Sequence, residues 1–449
     1  MTEESGKYVE FDKDYTMEEA LAEAKRCLNC AKPLCRTGCP IENEIPRFIH
    51  AIASGNFGEA NDIIGERSNL PAICGRVCPR EKQCEGHCIL NRAKKPINIG
   101  KLERFAADFE SNHGLRKLKP IIKDQGKIAV IGSGPAGLTV AGDMAKLGYE
   151  VTIFEKQEEP GGILLYGIPA FRLGKDVVRR EIDRLKKLGV KFECNTVIGP
   201  ERSLDSLMAE GYDAIFIAIG THVPIPLPME NDEKPGVLQA MALLTAVQLY
   251  KNGRLGEESI AVKPGDRVIV IGAGNVAMDA ARTCVRLGAK SVSVAYRRGE
   301  ANMSANPSEY EEAKEEGVTF NFFRAPVGVE GEGDEVTGLR CEIQEGHEDG
   351  SITGTGTYDI LPADKIIIAI GQKPNTSIVG PENGIDVDNN GYVITREMPY
   401  GMTSRQGIFA GGDIVHKPAT VVLAMRAAKK VVEGMVNYCE AKRYLGEVQ

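Results

Sequence analysis

The sequence lacks any apolar run near the roughly 18 residues that a membrane-spanning helix requires. Its first residues, MTEESGKYVEFDKDY, are polar and acidic and lack the apolar core of a secretory signal peptide. Positive charge is in deficit, since the net charge is −8, which argues against general nucleic-acid binding. We therefore expect a cytoplasmic protein that contacts neither membrane nor nucleic acid. The 449 residues, 42% hydrophobic and 26% charged, suffice for about three globular domains.

Residues 127–156 contain a complete βαβ dinucleotide-binding fingerprint. An apolar strand at 127–131 runs directly into Gly132-Ser133-Gly134-Pro135-Ala136-Gly137, which opens a helical pattern. Gly132 permits the tight turn, Gly134 lets the backbone approach a pyrophosphate, and Gly137 lets the helix pack close to the strand. A second strand ends in Glu155, where a carboxylate accepts hydrogen bonds from a ribose. A glycine-rich turn in another α/β domain is the alternative, but the complete unit favours dinucleotide binding.

Residues 267–298 repeat this fingerprint, with Gly272, Gly274 and, in place of the third glycine, Ala277. Its second strand ends in Arg297 and Arg298, where the first fingerprint ends in a glutamate. Arginine cannot accept a hydrogen bond from a ribose hydroxyl, but it pairs well with a 2′-phosphate. The pattern therefore predicts NADP(H) in preference to NAD(H). The alternative is a pair of exposed arginines on a loop.

Two further segments are typical of a flavin site. The glycine-dense apolar loop at 161–169 can lie flat against an aromatic ring. The segment 407–413 ends a short apolar strand in Asp413, whose carboxylate can hold a ribityl hydroxyl. A helix predicted from Thr420 presents its N-terminus toward the flavin ring. Strands ending at Gly220 and Gly371 have similar sequences, which indicates two dinucleotide-binding domains.

The 12 cysteines, in a chain with no secretory signal, favour metal ligation over disulfide bonds. Eight of them form two groups, which are Cys27, Cys30, Cys35 and Cys39 before Pro40, and then Cys74, Cys78, Cys84 and Cys88. The first group resembles the ferredoxin run C-x2-C-x2-C-x3-C-P with a wider middle gap; in two-cluster ferredoxins the fourth cysteine ligates the other cluster. Two structural zinc sites are the alternative. The tight first run, ending in Cys-Pro, favours iron–sulfur clusters.

No cysteine pair lies beside either fingerprint, which argues against a disulfide reductase, because that enzyme needs a dithiol next to its flavin. We expect the four remaining cysteines to be core residues; they are Cys194, Cys284, Cys341 and Cys439. Positive charge concentrates around the second cysteine group, since residues 74–104 hold eight Lys or Arg against three acids. This stretch could tune a cluster potential or dock an acidic protein, and a solvated face is the alternative.

Over nearly its whole length the sequence resembles one family. The run from Cys27 to Pro40 together with GSGPAGL, GILLYGIPAFRL, GAGNVAMD, YRR and AGGD is similar to the glutamate synthase small-subunit family. That family includes the N-terminal part of dihydropyrimidine dehydrogenase. It also includes the large subunit of NADH-dependent ferredoxin:NADP oxidoreductase, an electron-bifurcating transhydrogenase. The short N-terminus and the overall length resemble this large subunit most.

The resemblance implies FAD, NADP(H) and two [4Fe–4S] clusters as cofactors. It implies that Cys27, Cys30, Cys35 and Cys88 hold one cluster, and that Cys39, Cys78 and Cys84 hold the other with a non-cysteine ligand. Cys74 matches a family cysteine that is not a ligand. Where the pyrimidine enzyme supplies a glutamine, the only nearby residue with a suitable oxygen is Glu103. We therefore predict Glu103 as the eighth ligand, with Cys74 as the alternative.

The resemblance also places the family's dinucleotide contacts on particular residues. The flavin contacts fall on Gly134, Pro135, Ala136, Glu155, Lys156, Gly162, Leu164, Gly167, Arg172, Val197, Gly412, Asp413 and Thr420. The nicotinamide contacts fall on Gly274, Asn275, Val276, Ala277, Arg297 and Arg298. A third arginine of the pyrimidine enzyme is Ser304 here, so we expect a weaker grip on the 2′-phosphate.

We therefore predict an α/β protein with two Rossmann-like domains after a helical iron–sulfur domain. The predicted limits are 1–115 for the iron–sulfur domain, 116–228 and 373–449 for the FAD domain, and 229–372 for the NADP(H) domain. The predicted protein is an NADPH oxidoreductase subunit in a hetero-oligomer. It would pass electrons between NADP(H), flavin, the two clusters and ferredoxin or a partner flavoprotein, as in electron bifurcation. Hydride transfer requires no catalytic acid or base, so none is assigned.

Two other functions compete with this one. The first is the NADPH-oxidising small subunit of glutamate synthase, which co-purifying chains would distinguish. The second, from a different class, is a non-catalytic redox sensor or scaffold. It would need an output module, and no leftover segment is long enough for one.

Overall fold

The computed structural model describes residues 13–114, 120–347 and 349–446. Its helices are α1 (Met17–Lys25), α2 (Leu34–Gly38), α3 (Ile45–Ala53), α4 (Phe57–Gly65), α5 (Pro71–Val77), α6 (Ile99–His113), α7 (Pro135–Lys146), α8 (Ile163–Tyr166), α9 (Lys175–Lys187), α10 (Leu204–Ala209), α11 (Ala240–Lys251), α12 (Asn275–Arg286), α13 (Pro307–Glu315) and α14 (Val421–Gly446). Its strands are β1 (Lys127–Ile131), β2 (Glu150–Phe154), β3 (Lys191–Glu193), β4 (Ala214–Ile217), β5 (Thr221–Pro224), β6 (Val237–Gln239), β7 (Arg267–Ile271), β8 (Ser291–Tyr296), β9 (Thr319–Phe322), β10 (Arg324–Glu330), β11 (Gly338–Gly346), β12 (Ile352–Pro362), β13 (Lys365–Ile368), β14 (Gln372–Pro374) and β15 (Ile408–Ala410).

The chain forms two compact units. One comprises the described residues up to Leu165, Ala170–His222 and those from Lys373 onward, and the other comprises Tyr166–Pro169 and Val223–Gln372. None of the helices in the described ranges is long and apolar enough to cross a bilayer. The helical start and the α/β remainder confirm the predicted fold class.

Helices α1 to α6 form the N-terminal layer of the first unit. Their common core contains Phe48, Ile52, Ile64 and Leu102, all fully buried. The sequence Thr16-Met17-Glu18-Glu19 predicts a capping box, and helix α1 begins there. The Thr16 hydroxyl accepts from the Glu19 N–H at 3.2 Å, and the Glu19 carboxylate accepts from the Thr16 N–H at 2.8 Å.

Met17, Leu21, Ala24 and Leu28 repeat at helical spacing, which predicts α1 but does not identify its buried face. Ala20 and Ala24 are buried, whereas Met17 is 50% exposed and Leu28 lies beyond the end of the helix. The helix packs by this small alanine face, so the larger apolar side chains at either end remain at the surface. Short 3-10 turns at Arg80–Lys82 and Ile89–Ala93 follow α5 and complete the layer.

The α/β part of the first unit is a five-stranded parallel sheet in the order β15-β4-β1-β2-β3. The central strands are almost entirely buried, as expected when helices cover both faces. Helix α7, which follows β1, packs against α14 from the end of the chain. Strand β4 is shorter than the predicted 213–219, and α14 begins one residue after the predicted Thr420.

The second unit contains a parallel sheet in the order β6-β13-β7-β8-β9 and an antiparallel sheet in the order β10-β11-β12. Helix α12 follows β7 just as α7 follows β1. Its Arg282 is fully buried and donates to Glu312 at 2.5 Å and to Glu316 at 2.7 Å, which joins α12 to α13 and the turn after it. These ion pairs fix α12 behind the strand that carries the second fingerprint.

Candidate functional site

The first fingerprint has the backbone geometry that its glycines predict. Gly132 has φ of +96°, and a Cβ added there would lie 2.7 Å from the carbonyl oxygen of Ala218. A Cβ on Gly137 would overlap the Gly132 carbonyl oxygen, so α7 packs against the turn at backbone distance. A Cβ on Gly134 would meet nothing within 4 Å, which leaves open space before the first N–H groups of α7.

Glycines from two other segments approach the same helix end. A Cβ added to Gly162 would lie 2.9 Å from the Cα of Gly134, and one added to Gly412 would lie 2.8 Å from the Cβ of Ala136. Both residues have positive φ, +52° and +76°. Three distant parts of the chain thus supply the residues without side chains that surround the N-terminus of α7. We name Gly134, Gly162 and Gly412 the glycine cradle; its space and its helix dipole fit a pyrophosphate.

Glu155 is buried beside this cradle. Its Oε2 accepts hydrogen bonds from the Ser133 N–H at 3.1 Å and the Ser133 hydroxyl at 2.5 Å, and its Oε1 accepts from the Gln157 N–H at 2.8 Å. The Ser133 hydroxyl in turn accepts from the Gly161 N–H at 2.8 Å. Sequence reasoning assigned Glu155 to a ribose but missed Ser133, which occupies a variable position of the fingerprint.

The other predicted flavin contacts differ in exposure. Leu164 and Gly167 are buried, Pro135 and Ala136 begin α7, Arg172 is half-buried, and Lys156 is exposed after β2. Val197 is 66% exposed. Burial raises the pKa of Asp413 to about 6. The Thr420 hydroxyl accepts from the Leu423 N–H at 3.4 Å, so Thr420 caps α14.

The second fingerprint repeats this construction in the other unit. Gly272 has φ of +122°, and a Cβ there would overlap the carbonyl oxygen of Ala369. A Cβ on Gly274 would lie 3.3 Å from the hydroxyl of Ser304. Asn275 begins α12 and accepts from the Asn306 N–H at 2.8 Å, and Val276 and Ala277 follow in its first turn. This helix end also fits an anionic group.

Arg297 and Arg298 follow β8 directly, as predicted. Both side chains are exposed, and neither forms an ion pair with another of the residues that the structure describes. Their positive charge is therefore available at the carboxyl end of β8, the edge at which parallel sheets bind nucleotides. Ser304 lies against Gly274 and supplies a hydroxyl where the pyrimidine enzyme has an arginine.

Four of the predicted cluster ligands lie together at the surface of the helical layer. Cys27, Cys30, Cys35 and Cys88 are each half-buried. Burial, together with the nearby Cys88, Cys27 and Cys30, raises the pKa of the Cys35 thiol to about 11. Burial likewise raises the pKa of Cys27, with Cys30 and Cys88 again as neighbours. These four cysteines, here the outer group, are brought together by folding although 61 residues separate Cys27 and Cys88.

A second cluster of side chains lines a closed pocket deeper in the same unit. Its walls include Cys39, Cys74, Cys78, Cys84, Arg80, Glu103 and Val422. Burial raises the pKa of Cys39 to about 12 and that of Glu103 to about 8. Glu103 accepts from the Asn43 side-chain N–H at 3.4 Å. We name Cys39, Cys78, Cys84 and Glu103 the inner group.

Cys74 also borders this pocket but is engaged elsewhere. Its Sγ lies 3.5 Å from the Sδ of Met425 and 3.9 Å from the Ser68 hydroxyl, both buried contacts. Cys74 also hydrogen-bonds the side chain of Cys78, which together with burial raises the pKa of Cys78. Cys74 is thus close to the inner group while its thiol packs toward α14.

In the ranges that the structure describes, no three His, Cys, Asp or Glu side chains converge as they would around a single metal ion. Tetrahedral zinc needs four ligands at about 2.0–2.3 Å. A [4Fe–4S] cube instead binds its ligands at four separate iron corners, so they stand further apart. The outer group supplies four thiols, and the inner group supplies three thiols and one carboxylate.

Comparisons with known proteins agree with this organisation. The family described as dihydropyrimidine dehydrogenase domain II, 4Fe-4S cluster, matches residues 4–115, and the pyridine nucleotide-disulphide oxidoreductase family matches residues 126–428. The glutamate synthase [NADPH] small chain of Escherichia coli is 37% identical over 96% of this chain and 94% of its own length. The NAD-dependent dihydropyrimidine dehydrogenase subunit PreT of Escherichia coli is 34% identical over 95% of this chain and 96% of its own.

Among solved structures, Mycobacterium tuberculosis FprA in complex with NADPH aligns with a TM-score of 0.61. It covers 72% of this chain and 86% of the FprA chain at 18% identity. At that identity the likeness concerns the fold alone.

Proposed function

The chain belongs to the glutamate synthase small-chain family of FAD- and [4Fe–4S]-dependent NADP oxidoreductases, and on that premise we propose that it exchanges electrons with ferredoxin and a partner flavoprotein. The bound cofactors would supply hydride and one-electron chemistry, and the chain binds and orients them. One observation carries the proposal: a single compact unit holds the glycine cradle, the inner group and the outer group in succession.

The order of these sites follows from α14. Val422 in its first turn lines the pocket of the inner group. Ala424, two residues later, would lie 3.9 Å from a Cβ added to Gly412 of the glycine cradle. The inner group therefore lies on the flavin side, and the half-buried outer group lies on the solvent side. This order supports electron transfer between the flavin and a protein docked near the outer group.

We assign the ligands accordingly. The outer group would hold one cluster through Cys27, Cys30, Cys35 and Cys88, and the inner group would hold the other through Cys39, Cys78, Cys84 and Glu103. The Sγ of Cys74 lies 3.5 Å from the Sδ of Met425 on α14, and this contact supports Glu103 over Cys74 as the fourth inner ligand. A carboxylate is a harder and more strongly charged donor than the carboxamide of the glutamine that the pyrimidine enzyme supplies at this place. It favours the oxidised cluster and lowers its potential, as transfer to a low-potential ferredoxin requires.

The surface around the outer group supports an acidic partner. Segments 25–38 and 86–95, here the cationic face, contain four and three Lys or Arg respectively and no acid. They adjoin each other, since Arg26 donates to the Lys95 carbonyl at 2.8 Å and the His87 ring lies 2.7 Å from a Cβ added to Gly38. Exposed Leu28, Leu34 and Ile89 lie on the same segments. A few apolar side chains among clustered cations suit a transient electron-transfer complex with an acidic ferredoxin.

In the bifurcating form of this activity, the bound flavin and clusters would supply one-electron chemistry. The inner and outer groups would hold the clusters on a route toward ferredoxin, and the partner flavoprotein would take the other electron of the hydride. The glycine cradle, Glu155 and Asp413 would orient the flavin for this step. Arg297 and Arg298 would hold the 2′-phosphate of NADP(H) at the second fingerprint.

The second candidate is the electron-delivering subunit of a glutamate synthase. The 37% identity to the Escherichia coli glutamate synthase small chain over 96% of this chain favours it. Both candidates require a partner chain, so we expect a hetero-oligomer. Purification under anoxic conditions, with identification of every associated subunit, tests the proposal. If a flavoprotein co-purifies, the result supports the bifurcating transhydrogenase. If a large chain with a glutaminase domain co-purifies, the protein is instead the small subunit of a glutamate synthase.

Ferredoxin reduction by NADPH gives an independent test of the cationic face. Increasing salt should slow the bimolecular step steeply, because it screens charges between the proteins. A double variant, Lys94→Gln with Lys95→Gln, should be slower at low salt and less sensitive to salt. Lys290→Gln, which removes an exposed cation in the other unit, should match wild type. A salt-independent rate would contradict electrostatic docking at this face.

A further inference from the structure

The side chain of Arg80 reaches the pocket of the inner group by passing over one glycine. It lies two residues after Cys78 and begins the 3-10 turn Arg80–Lys82. Its side chain crosses Gly100, in the first turn of α6: a Cβ there would overlap the Cδ of Arg80 and lie 2.8 Å from Nη1 and 2.9 Å from Nε. Any larger residue at position 100 would therefore displace the guanidinium.

Arg80 is also the only cation among the described residues that line the pocket of the inner group. The other charged side chain in that lining is Glu103. Glu85 lies nearby, and its carboxylate accepts from the Gly100 N–H at 3.0 Å. Arg80 and Glu103 line the same pocket, and Gly100, which the Arg80 side chain crosses, is the residue whose N–H Glu85 binds. The pocket thus combines a proposed anionic ligand with one fixed cation.

We propose that Arg80 sets the reduction potential of the cluster that the inner group holds, and that Gly100 is glycine to admit its guanidinium. The inference rests on the proposed cluster ligation. One-electron reduction adds a negative charge to a cluster, and a nearby cation in a poorly solvated pocket stabilises that charge. A guanidinium does not lose its proton in proteins, so this charge is constant with pH.

Arg80 and Glu103 would then act in opposite directions on the same cluster. The carboxylate favours the oxidised form, and the guanidinium favours the reduced form. Such a balance matters most at the inner group, because it lies on the flavin side and governs the first one-electron transfer. Arg80 lines the pocket of the inner group, so we expect it to shift the potential of the outer cluster less than that of the inner cluster.

Redox titration followed by electron paramagnetic resonance tests the proposal on the holoprotein. Arg80→Gln should lower the midpoint potential of the inner cluster. At a fixed potential, the ratio of reduced to oxidised cluster should fall about tenfold, which corresponds to a shift of about 59 mV for a one-electron couple. Gly100→Ala should shift it in the same direction with the arginine still present. The double variant should shift it no further than Arg80→Gln, because both changes remove the same interaction.

Arg80→Lys and Lys82→Gln are the matched controls. Arg80→Lys keeps the positive charge, so the midpoint potential of the inner cluster should stay close to the wild-type value. Lys82→Gln removes an exposed cation from the same turn and should leave that potential unchanged. The proposal is overturned if Arg80→Gln, with full iron and sulfide, keeps the wild-type midpoint potential. It is also overturned if the midpoint potential of Arg80→Lys falls as far as that of Arg80→Gln. If Arg80→Gln loses the inner cluster, the midpoint potential of Gly100→Ala decides the question, and an unchanged value overturns the proposal. Wild-type protein without a second cluster would instead refute the ligand assignment.

Discussion

The hydroxyl of Ser133 donates a 2.5 Å hydrogen bond to the carboxylate of Glu155. The same hydroxyl accepts from the Gly161 N–H at 2.8 Å. Ser133 thereby connects the end of β2 to the loop that contributes Gly162 to the glycine cradle. All three groups are buried, so the loss of this hydroxyl would leave the Gly161 N–H without its acceptor.

Ser133→Ala should therefore weaken flavin binding. A hydrogen bond to a charged group contributes about 1.5–3 kcal/mol, so the flavin dissociation constant should rise by about tenfold or more. Flavin fluorescence after dialysis, with a titration of the apoprotein, measures the effect. Thr139→Ala removes another buried hydroxyl of α7, one that donates only to the Pro135 carbonyl at 2.7 Å, and should retain flavin. Equal flavin loss in both variants would show a general effect on α7 rather than a role of Ser133.

Iron and acid-labile sulfide should each be near eight per chain in anoxically purified protein, because two cubane clusters are expected. Colorimetric iron and sulfide assays, with elemental analysis for zinc, measure this content. Cys88→Ala should remove about half of both by disrupting the outer group. Cys341→Ala, at a buried cysteine of the other unit, should remove none. Zinc without sulfide in the wild-type protein would end the iron–sulfur assignment.

Arg297→Glu should lose most of the preference for NADPH over NADH. One charge-assisted contact contributes about 1.5–3 kcal/mol, so the ratio of the two kcat/KM values should fall by about tenfold or more. Stopped-flow reduction of the flavin by each nucleotide measures it. Lys290→Glu makes the same change of charge at the opposite end of β8 and should keep the wild-type ratio. Equal reduction of the wild-type flavin by both nucleotides would contradict the assignment of these arginines.

Glu103 should prove to be an inner ligand and Cys74 should not. Glu103→Ala should alter the spectrum and potential of one cluster or lose it, whereas Cys74→Ala should keep both clusters. Glu103→Gln retains an oxygen donor without the charge, so the potential of the inner cluster should rise. Iron content and redox titration distinguish these outcomes. If Cys74→Ala loses a cluster while Glu103→Ala keeps spectrum and potential unchanged, Cys74 is the ligand.

The sequence predicts well the features that depend on a few neighbouring residues. The capping box at Thr16 and Glu19 and the first strands of both fingerprints are found where predicted. These features are local, since a glycine turn or an N-cap needs only the residues beside it. The family resemblance, rather than any spacing, assigned Cys88 to the outer group.

Features that depend on distant contacts could not be predicted in this way. The crossing of Arg80 over Gly100 and the approach of Gly412 to Ala136 join segments far apart in the chain. The meander β10-β11-β12 also escaped prediction. Its β12 is exposed along most of its length and is rich in threonine and glycine, so it lacks the apolar alternation that marks a half-buried strand. The assigned ligands and the predicted domain limits stay predictions.

Strand β15, residues 408–410, forms one edge of the five-stranded parallel sheet in the first unit and pairs there with β4, residues 214–217. During synthesis by the ribosome, the second unit is made in full before this strand exists. The nascent protein must therefore carry an open edge on β4 until residues 408–410 have been made. We expect the flavin to load only after this strand has paired with β4. A truncation before residue 408 should thus accumulate as a flavin-free, chaperone-bound chain even though both fingerprints are intact.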